Sequence, residues 1–255
     1  MKRMTNLLAK DGVPVSAWSA QQDPFYLQLL ARTNADFITL DMQHGMQTEN
    51  SVIRGIAAVM PSGKPTMVRI PVGRFDLVSR ALDAGAHGII APMINNLDDA
   101  KALVSAAKYI PVGDRSFGPT HGAGLMGLTN PEYVTQANDH IPIMAMIETA
   151  EAVSNMDVIL DLDGIDGIFL GPGDLSISIR QNVVPDPYGP DTIDIIKTMP
   201  EAAHKRGKYA FAWCAGPEHV DLATEIGFDC CFMGHDIAYL QRGIDTMLGE
   251  IKTRK

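Results

Sequence analysis

Polar side chains capable of acid–base or metal chemistry occur where several apolar segments of the chain end. Asp41 and His44 lie in LDMQHG after one apolar run, and Arg69 lies inside the run TMVRIP. Glu148 and Asp174 close the later segments IPIMAMIE and GIFLGPGD. Carboxylates bind hard divalent cations, imidazole is the commonest general base, and guanidinium binds carboxylate groups. The set indicates chemistry on a small anionic substrate, if the fold brings these residues together.

The elements that must position these residues alternate regularly between strand and helix patterns. Nearly continuous apolar runs, typical of parallel strands covered on both faces, predict eight strands. They are Val13–Ser19, Phe37–Met42, Thr66–Pro71, Gly88–Met93, Ile141–Glu148, Gly167–Pro172, Lys208–Cys214 and Asp229–His235. Helical patterns lie between and after them, as in Phe75–Ala84, Leu97–Tyr109, Ala150–Leu160 and Ile237–Ile251. Eight such alternations predict an α/β fold, a (β/α)8 TIM barrel that forms one domain over residues 1–255.

In such a barrel, catalytic residues lie at the C-terminal ends of the strands. The polar groups named above follow the predicted second, third, fifth and sixth strands. Two regions have no clear periodicity and are predicted to be long loops, Pro111–His140 and Ile179–Pro190. Loops of that length in a compact domain are often functional lids or oligomer contacts.

Composition excludes several classes of protein. The net charge of −9, with no Lys/Arg cluster, argues against a nucleic-acid or anionic-membrane binder. The sequence shows neither an 18-residue apolar run nor a signal-peptide pattern, so we expect a soluble, cytoplasmic protein. The cysteines lie in apolar runs and are expected to be buried, reduced thiols, namely Cys214, Cys230 and Cys231.

Glu148 and Asp174 fall at the ends of neighbouring predicted strands. Two facing carboxylates repel each other unless one is protonated or a cation lies between them. Mg²⁺ or Mn²⁺ is the natural cation for two oxygen ligands, and Co²⁺ or Zn²⁺ is possible. Alternatively, each acid caps the first turn of the helix that follows it. Their pairing at adjacent strand ends favours the metal site.

Arg69 and His44 each have a structural and a functional interpretation. A guanidinium inside an apolar strand must meet an acid such as Asp41 or an anionic ligand, because burying it unpaired is very costly. A single histidine is more often structural than catalytic. Because Asp41 could orient its imidazole, however, His44 is a candidate general base.

Three further features are candidates for substrate binding. The turn formed by Gly171, Pro172, Gly173 and Asp174 opens a helix, and its backbone N–H groups could hold a carboxylate. Ser116 follows Arg115 at the start of the longest loop, which is either an ordinary turn or a flap over the ligand. Trp18 ends the first predicted strand. Dinucleotide and P-loop motifs are absent from the sequence.

The motifs taken together resemble a known family. LDMQHG, MVRIP, ALDAGAHGIIAPMINNLDDA, GDRSFGP, MIETAEAVSNMDVIL and GIDGIFLGPGDLS resemble the HpcH/HpaI aldolases. These are class II, metal-dependent pyruvate aldolases of the phosphoenolpyruvate/pyruvate barrel superfamily. The resemblance extends from about Val13 to the last helix and preserves the order of the motifs.

The resemblance implies a role for each matching residue. Glu148 and Asp174 match the metal ligands, Arg69 the arginine that binds the pyruvyl oxygen, and His44 the base with Asp41 as its companion. The GPGD turn would hold the pyruvate carboxylate.

The resemblance also implies an assembly. Asp83 matches an acid that reaches a neighbouring subunit's active site, and a homo-oligomer is expected: a hexamer, as a dimer of trimers, with exchanged C-terminal helices. Two positions depart from the family pattern. Gln43 replaces a glutamate, and His235 stands where a small residue is usual.

The implied reaction is reversible cleavage of a 4-hydroxy-2-oxo acid to pyruvate and an aldehyde, as in aromatic or sugar acid catabolism. His44, directly or through a metal-bound water, would remove the 4-hydroxyl proton, and the cation and Arg69 would stabilise the pyruvate enolate. A Schiff-base route is disfavoured because no lysine lies at the end of a predicted strand in the barrel interior, and Lys208 begins its strand. Alternatives are oxaloacetate decarboxylation, lysis of a malyl- or citramalyl-CoA thioester, and a non-enzymatic carboxylate-binding protein.

Overall fold

The computed structural model describes residues 3–251 and shows a closed barrel of eight parallel strands. Neighbours along the chain are neighbours in the barrel, and β8 pairs with β1 to close it. The strands are β1 (Val15–Ser19), β2 (Phe37–Asp41), β3 (Thr66–Arg69), β4 (Gly88–Ala91), β5 (Ile143–Ile147), β6 (Gly167–Leu170), β7 (Tyr209–Cys214) and β8 (Cys230–Met233). The predicted (β/α)8 barrel is confirmed.

Helices cover the outside of the barrel between the strands. They are α1 (Arg3–Leu8), α2 (Pro24–Leu30), α3 (Glu49–Val59), α4 (Asp76–Asp83), α5 (Leu97–Ala107), α6 (Thr120–Leu125), α7 (Asn130–His140), α8 (Ala150–Ser154), α9 (Met156–Asp161), α10 (Pro172–Arg180), α11 (Pro190–His204), α12 (Pro217–Ile226) and α13 (Asp236–Gly249), with a 3₁₀ turn at Met60–Ser62. None of the helices within residues 3–251 is long and apolar enough to cross a membrane.

The barrel interior is filled by aromatic and methionine side chains. Phe232 lies at its centre, with ring centroids 4.8 Å from Phe169 and 5.1 Å from Phe37. Met4 of α1 is fully buried in the same cluster. Because this plug occupies the lower part of the barrel, a ligand has room only at the C-terminal mouth.

The prediction of a continuous loop over 111–140 is wrong, because the segment contains α6 and α7. Thr129 caps the N-terminus of α7. Its side chain accepts from the backbone N–H of Glu132, and the Glu132 side chain accepts from the backbone N–H of Thr129. The apolar pattern of α7 is weak, since the helix buries only Tyr133 and Ala137. Lys108, itself 2% exposed, ties the region down by donating to the carbonyls of Asn138 and Ile141 and pairing with Asp166. Lys108 itself lies just before the segment, at the C-terminal end of α5.

The predicted strands extend a few residues beyond the observed ones at the catalytic end. β5 ends before Glu148, and β6 ends before Gly171, which immediately precedes α10. The second predicted loop is confirmed only from 181 to 189, because α10 continues to Arg180. The cysteines are free and buried, as predicted: Cys214, Cys230 and Cys231.

Candidate active site

A cavity of about 390 Å³ opens at the C-terminal mouth of the barrel. Its walls come from seven of the eight strand ends, all except that of β4. The lining residues are Trp18, Ala20, Asp41, His44, Arg69, Met146, Glu148, Gly171, Pro172, Gly173, Asp174, Trp213, His235 and Ile237. The structure therefore brings together nine of the residues singled out in the sequence, from strands far apart along the chain.

Two of the predicted site residues lie away from this cavity. Asp83 pairs with Arg115 at 2.5 Å, and the Arg115 guanidinium is fully buried against the rings of Tyr109 and Tyr133, at 4.5 and 5.6 Å. Ser116 is exposed. The Arg115 side chain thus turns inward to its carboxylate and aromatic partners and does not reach the cavity of its own chain.

Arg69 and Asp41 form a two-pronged ion pair at the ends of adjacent strands. Their Cα positions are directly paired across β2 and β3, and Nε and Nη2 of Arg69 donate to the two carboxylate oxygens at 2.8 and 2.6 Å. Trp18 donates from Nε1 to the same carboxylate at 3.2 Å, and its ring lies 4.7 Å below the guanidinium. Burial alone would raise the pKa of Asp41, but the bonds from Arg69 hold it below its ordinary value.

This pairing fixes the guanidinium and leaves some of its N–H donors unused. Arg69 has five N–H donors, and Asp41 uses two of them. Arg69 also lines the cavity. The structural ion pair and the ligand-binding role are thus compatible, because Nη1 is left for a ligand.

Asp41 positions the His44 backbone, not its ring. Its Oδ1 accepts from the backbone N–H groups of Gln43 and His44, at 3.0 and 3.4 Å. The turn folds so tightly that a Cβ on Gly45 would lie 2.9 Å from the Cα of Ala20. The predicted contact between Asp41 and the imidazole is replaced by this backbone anchor, and His44 stands exposed at the rim.

Glu148 carries a buried carboxylate at the end of β5, where it is 1% exposed. Its Oε1 accepts from the backbone N–H of Met93 at 2.8 Å, and Met93 adopts a left-handed φ of 55°. Gly171 packs directly against the other oxygen, so that a Cβ there would overlap it. Burial, with a contribution from the charge of Asp174, raises the pKa of Glu148 to about 7.

The first turn of α10 presents free backbone donors to the cavity. Pro172 has no N–H, and the first helical bond is donated by Leu175 to the carbonyl of Gly171 at 3.1 Å. The N–H groups of Gly173 and Asp174 precede that bond and lie at the positive end of the helix. Such an arrangement is suited to a carboxylate or phosphate.

Sequence reasoning missed part of the cavity wall. Trp213 ends β7, and Ala20, Met146 and Ile237 complete the apolar lining. Trp213 could have been found, because it lies at a strand end in FAWC as Trp18 does in VSAWS. Gln43, the departure noted in LDMQHG, is not among the lining residues.

The chain resembles known proteins over most of its length. The family model described as HpcH/HpaI aldolase/citrate lyase matches residues 15–223. A hydroxypyruvate/pyruvate aldolase of Rhizorhabdus wittichii is 33% identical over 243 residues, covering 95% of this chain and 96% of the relative. A 2-keto-3-deoxy-L-rhamnonate aldolase of Escherichia coli is 28% identical over 249 residues, covering 97% and 92%.

Solved structures share the same fold. An HpcH/HpaI aldolase from Desulfitobacterium hafniense superposes with a TM-score of 0.88 at 26% identity, covering 100% of this chain and 98% of that one. The citrate lyase β subunit of Mycobacterium tuberculosis, complexed with oxaloacetate and magnesium, has a TM-score of 0.56 at 18% identity, covering 90% and 94%. At that identity the second likeness shows the fold alone.

The match to the family model spans most of the barrel, and a relative above 30% identity covers nearly the whole chain. These findings confirm the resemblance drawn from the motifs and the enzyme class it implied, a pyruvate aldolase that acts as a carbon–carbon lyase. The chain belongs to the HpcH/HpaI aldolase/citrate lyase family.

Proposed function

We propose that the cavity is the active site of a divalent-metal-dependent class II aldolase that reversibly cleaves a 4-hydroxy-2-oxo acid into pyruvate and an aldehyde. The observation that carries the proposal is the meeting of two carboxylates, a fixed guanidinium, a histidine and a helix N-terminus in one cavity. Each supplies a part that this reaction needs, and the aldolase names of the two relatives support the same reaction.

The metal ligands are proposed to be Glu148 and Asp174. Among residues 3–251 no three His, Cys, Asp or Glu side chains converge as a ligand set. In this proposal the two carboxylates would leave the remaining coordination positions to substrate and water. The donors fit the group: a buried carboxylate with a raised pKa lies beside a second carboxylate and is held by Met93 and Gly171. A bound cation would favour its ionised form. When bound, Mg²⁺ or Mn²⁺ supplies Lewis-acid stabilisation of negative charge on the substrate.

The chain's own groups bind the pyruvate half of the substrate. The N–H groups of Gly173 and Asp174 receive the carboxylate at the start of α10. Nη1 of Arg69 donates to the 2-oxo oxygen, where negative charge develops as the enolate forms. Because Asp41 and Trp18 already hold the guanidinium, it needs no reorganisation during the reaction.

His44 is proposed to move the proton that starts the cleavage. A nitrogen of its imidazole accepts the proton of the 4-hydroxyl group, and the C3–C4 bond breaks as the carbonyl of the aldehyde forms. The electron pair of that bond passes to the pyruvate half, giving the enolate whose oxygen Arg69 stabilises. Protonation at C3 then yields pyruvate, and the reverse sequence gives the condensation.

We further infer that the protein acts as a homo-oligomer. One face of α13 exposes Leu240 at 64% and Met247 at 70%, together with Ile244 at 47%. Exposed apolar patches of this kind mark interaction surfaces, and α13 follows the mouth directly. A neighbouring subunit covering this helix agrees with the predicted hexamer with exchanged helices. Asp83, held by Arg115 outside this chain's own cavity, is proposed to serve the neighbour's site.

The Glu148 carboxylate predicts a pH-dependent stability in the metal-free protein. Its pKa is raised, so the folded state binds more protons between pH 4.5 and 7, and the free energy of unfolding falls as pH rises through 7. In the presence of chelator, Glu148→Gln should remove this fall, which amounts to about 3 kcal/mol over the window. Urea unfolding at pH 5 and pH 8.5 measures the difference.

Adding Mn²⁺ at pH 8.5 should raise the midpoint temperature of the parent protein and leave Glu148→Gln unchanged. Glu151→Gln, an exposed acid in the first turn of α8, is the matched control and should behave like the parent. Parallel pH profiles for the parent and Glu148→Gln would contradict the assignment.

Gly171 predicts a steric effect on the same site. In Gly171→Ala the new Cβ overlaps Oε2 of Glu148 and displaces the carboxylate. The affinity for Mn²⁺, measured by calorimetry, should fall about tenfold or more. Gly124→Ala is the control, because a Cβ at that helical position meets nothing within 4 Å. Equal affinities in the two variants would refute the proposed ligand geometry.

The proposed activity is tested by pyruvate release from 4-hydroxy-2-oxo acids with Mg²⁺ or Mn²⁺ and after chelation. Turnover should require the metal, and Arg69→Lys should lower kcat/KM about 100-fold because lysine cannot pair twice with Asp41 and also donate to the substrate. Arg206→Lys, which alters an arginine paired with Asp161 at the opposite end of the barrel, is the control. No metal-dependent turnover of any 2-oxo acid would refute the aldolase, and cleavage of an acyl-CoA would assign it to the thioester lyases.

A further inference from the structure

His235 lines the cavity at the end of β8, and the mechanism above gives it no role. It lies between Gly234, whose φ is 57°, and Asp236, which begins α13. The side chain is exposed to the mouth, whereas its neighbour Asp236 is 3% exposed. The His235 imidazole therefore lines the cavity, and the residue that follows it is buried.

Asp236 holds this segment rigidly. Its Oδ2 accepts from the Ser19 hydroxyl at 3.0 Å and from the backbone N–H groups of Ala20 and Gln21 at 2.8 and 2.9 Å. Its Oδ1 accepts from the N–H of Ile237 at 3.0 Å. These bonds join the start of α13 to the end of β1, so the backbone at His235 is fixed relative to the barrel. A side chain on such a support is placed precisely enough to discriminate between ligands.

The contact with α13 also selects one tautomer of the neutral His235 ring. His235 is the N-cap of α13, and its Nδ1 accepts from the backbone N–H of Ala238 at 3.4 Å. A nitrogen that accepts carries no hydrogen, so the neutral ring holds its hydrogen on Nε2. Among the described residues Nε2 has no hydrogen-bond partner. It is left as a donor on the edge of the ring away from the helix.

This donor lies on the side of the mouth that the pyruvate half does not use. The pyruvate-binding groups come from the ends of β3, β5 and β6. The opposite wall comes from β7, β8 and β1 and contains Trp18, Ala20, Trp213, His235 and Ile237. His44, which takes the proton from the 4-hydroxyl, stands next to β1 on β2, so C4 and the atoms beyond it face this wall.

The wall selects for a neutral polar group. Its lining residues are apolar or aromatic apart from His235, and none is charged while the imidazole is neutral. Arg69, the cation of the cavity, lies over the Trp18 ring at 4.7 Å and is paired with Asp41. A carboxylate on the aldehyde would therefore find the charge of Arg69 already offset by Asp41, whereas a hydroxyl would meet the Nε2 donor.

We propose that His235 is a specificity-determining residue that donates a hydrogen bond from Nε2 to the hydroxyl of a 2-hydroxyaldehyde in the aldehyde half of the site. The proposal rests on the aldolase function proposed above. Glycolaldehyde and propanal form a matched pair of probes, since a hydroxyl in one replaces a methyl in the other. The parent enzyme should condense pyruvate with glycolaldehyde at the higher kcat/KM.

The test uses His235→Asn, because asparagine keeps an N-cap acceptor for α13 but is too short to retain the Nε2 donor. The ratio of kcat/KM for glycolaldehyde to that for propanal should fall about five- to tenfold, mainly through the KM for glycolaldehyde. His204→Asn is the matched control. That histidine pairs with Asp229 at the opposite end of the barrel, and the ratio should not change.

The possible outcomes separate this proposal from the proposed function. An unchanged ratio in His235→Asn, or an equal loss with both aldehydes, overturns the hydrogen bond while leaving the aldolase intact. A parent enzyme that prefers propanal does the same. If the parent shows no metal-dependent condensation with either aldehyde, the proposed function fails and this proposal fails with it.

Discussion

The buried carboxylate of Glu148 is the constraint on which the rest of the site depends. This carboxylate is 1% exposed at the end of β5, and burial together with the charge of Asp174 raises its pKa to about 7, so its ionised form is less favoured than that of an exposed glutamate. The surroundings keep it in place. The backbone N–H of Met93, a residue in the left-handed conformation, donates to it. Gly171 has no Cβ, which would otherwise overlap the carboxylate. This fixed, buried carboxylate is the basis of the proposed site for a divalent ion.

Arg69 places a positive charge at the mouth of the apolar barrel, beside the carboxylate of Glu148. Asp41 offsets its charge, and Trp18 supports both groups through a hydrogen bond and its ring face. The guanidinium keeps free donors because only two of five are used. The guanidinium is therefore held in place by Asp41 and can still donate into the cavity, which suits a substrate that gains negative charge as the C3–C4 bond breaks.

The barrel and most of the cavity wall could be predicted because strand periodicity places polar residues at strand ends, and barrel closure brings those ends together. Three features could not. The periodic pattern of α7 is weak, because the helix buries only Tyr133 and Ala137. Arg115 turns inward to Asp83 and two tyrosines, which spacing alone does not reveal. Asp41 holds the His44 turn through the backbone N–H groups of Gln43 and His44. The direction of a backbone N–H group cannot be read from the residue types in a sequence.

The central claim is that this cavity stabilises the enolate of pyruvate, and the claim can be measured without knowing the aldehyde. Pyruvate incubated with the enzyme in D₂O should lose its methyl proton signal in NMR spectra when Mg²⁺ is present, because each enolate that reverts takes up deuterium at C3. Chelation should abolish the exchange, and restored Mg²⁺ should return it. Exchange no faster than in enzyme-free solution containing the same Mg²⁺ would contradict the account.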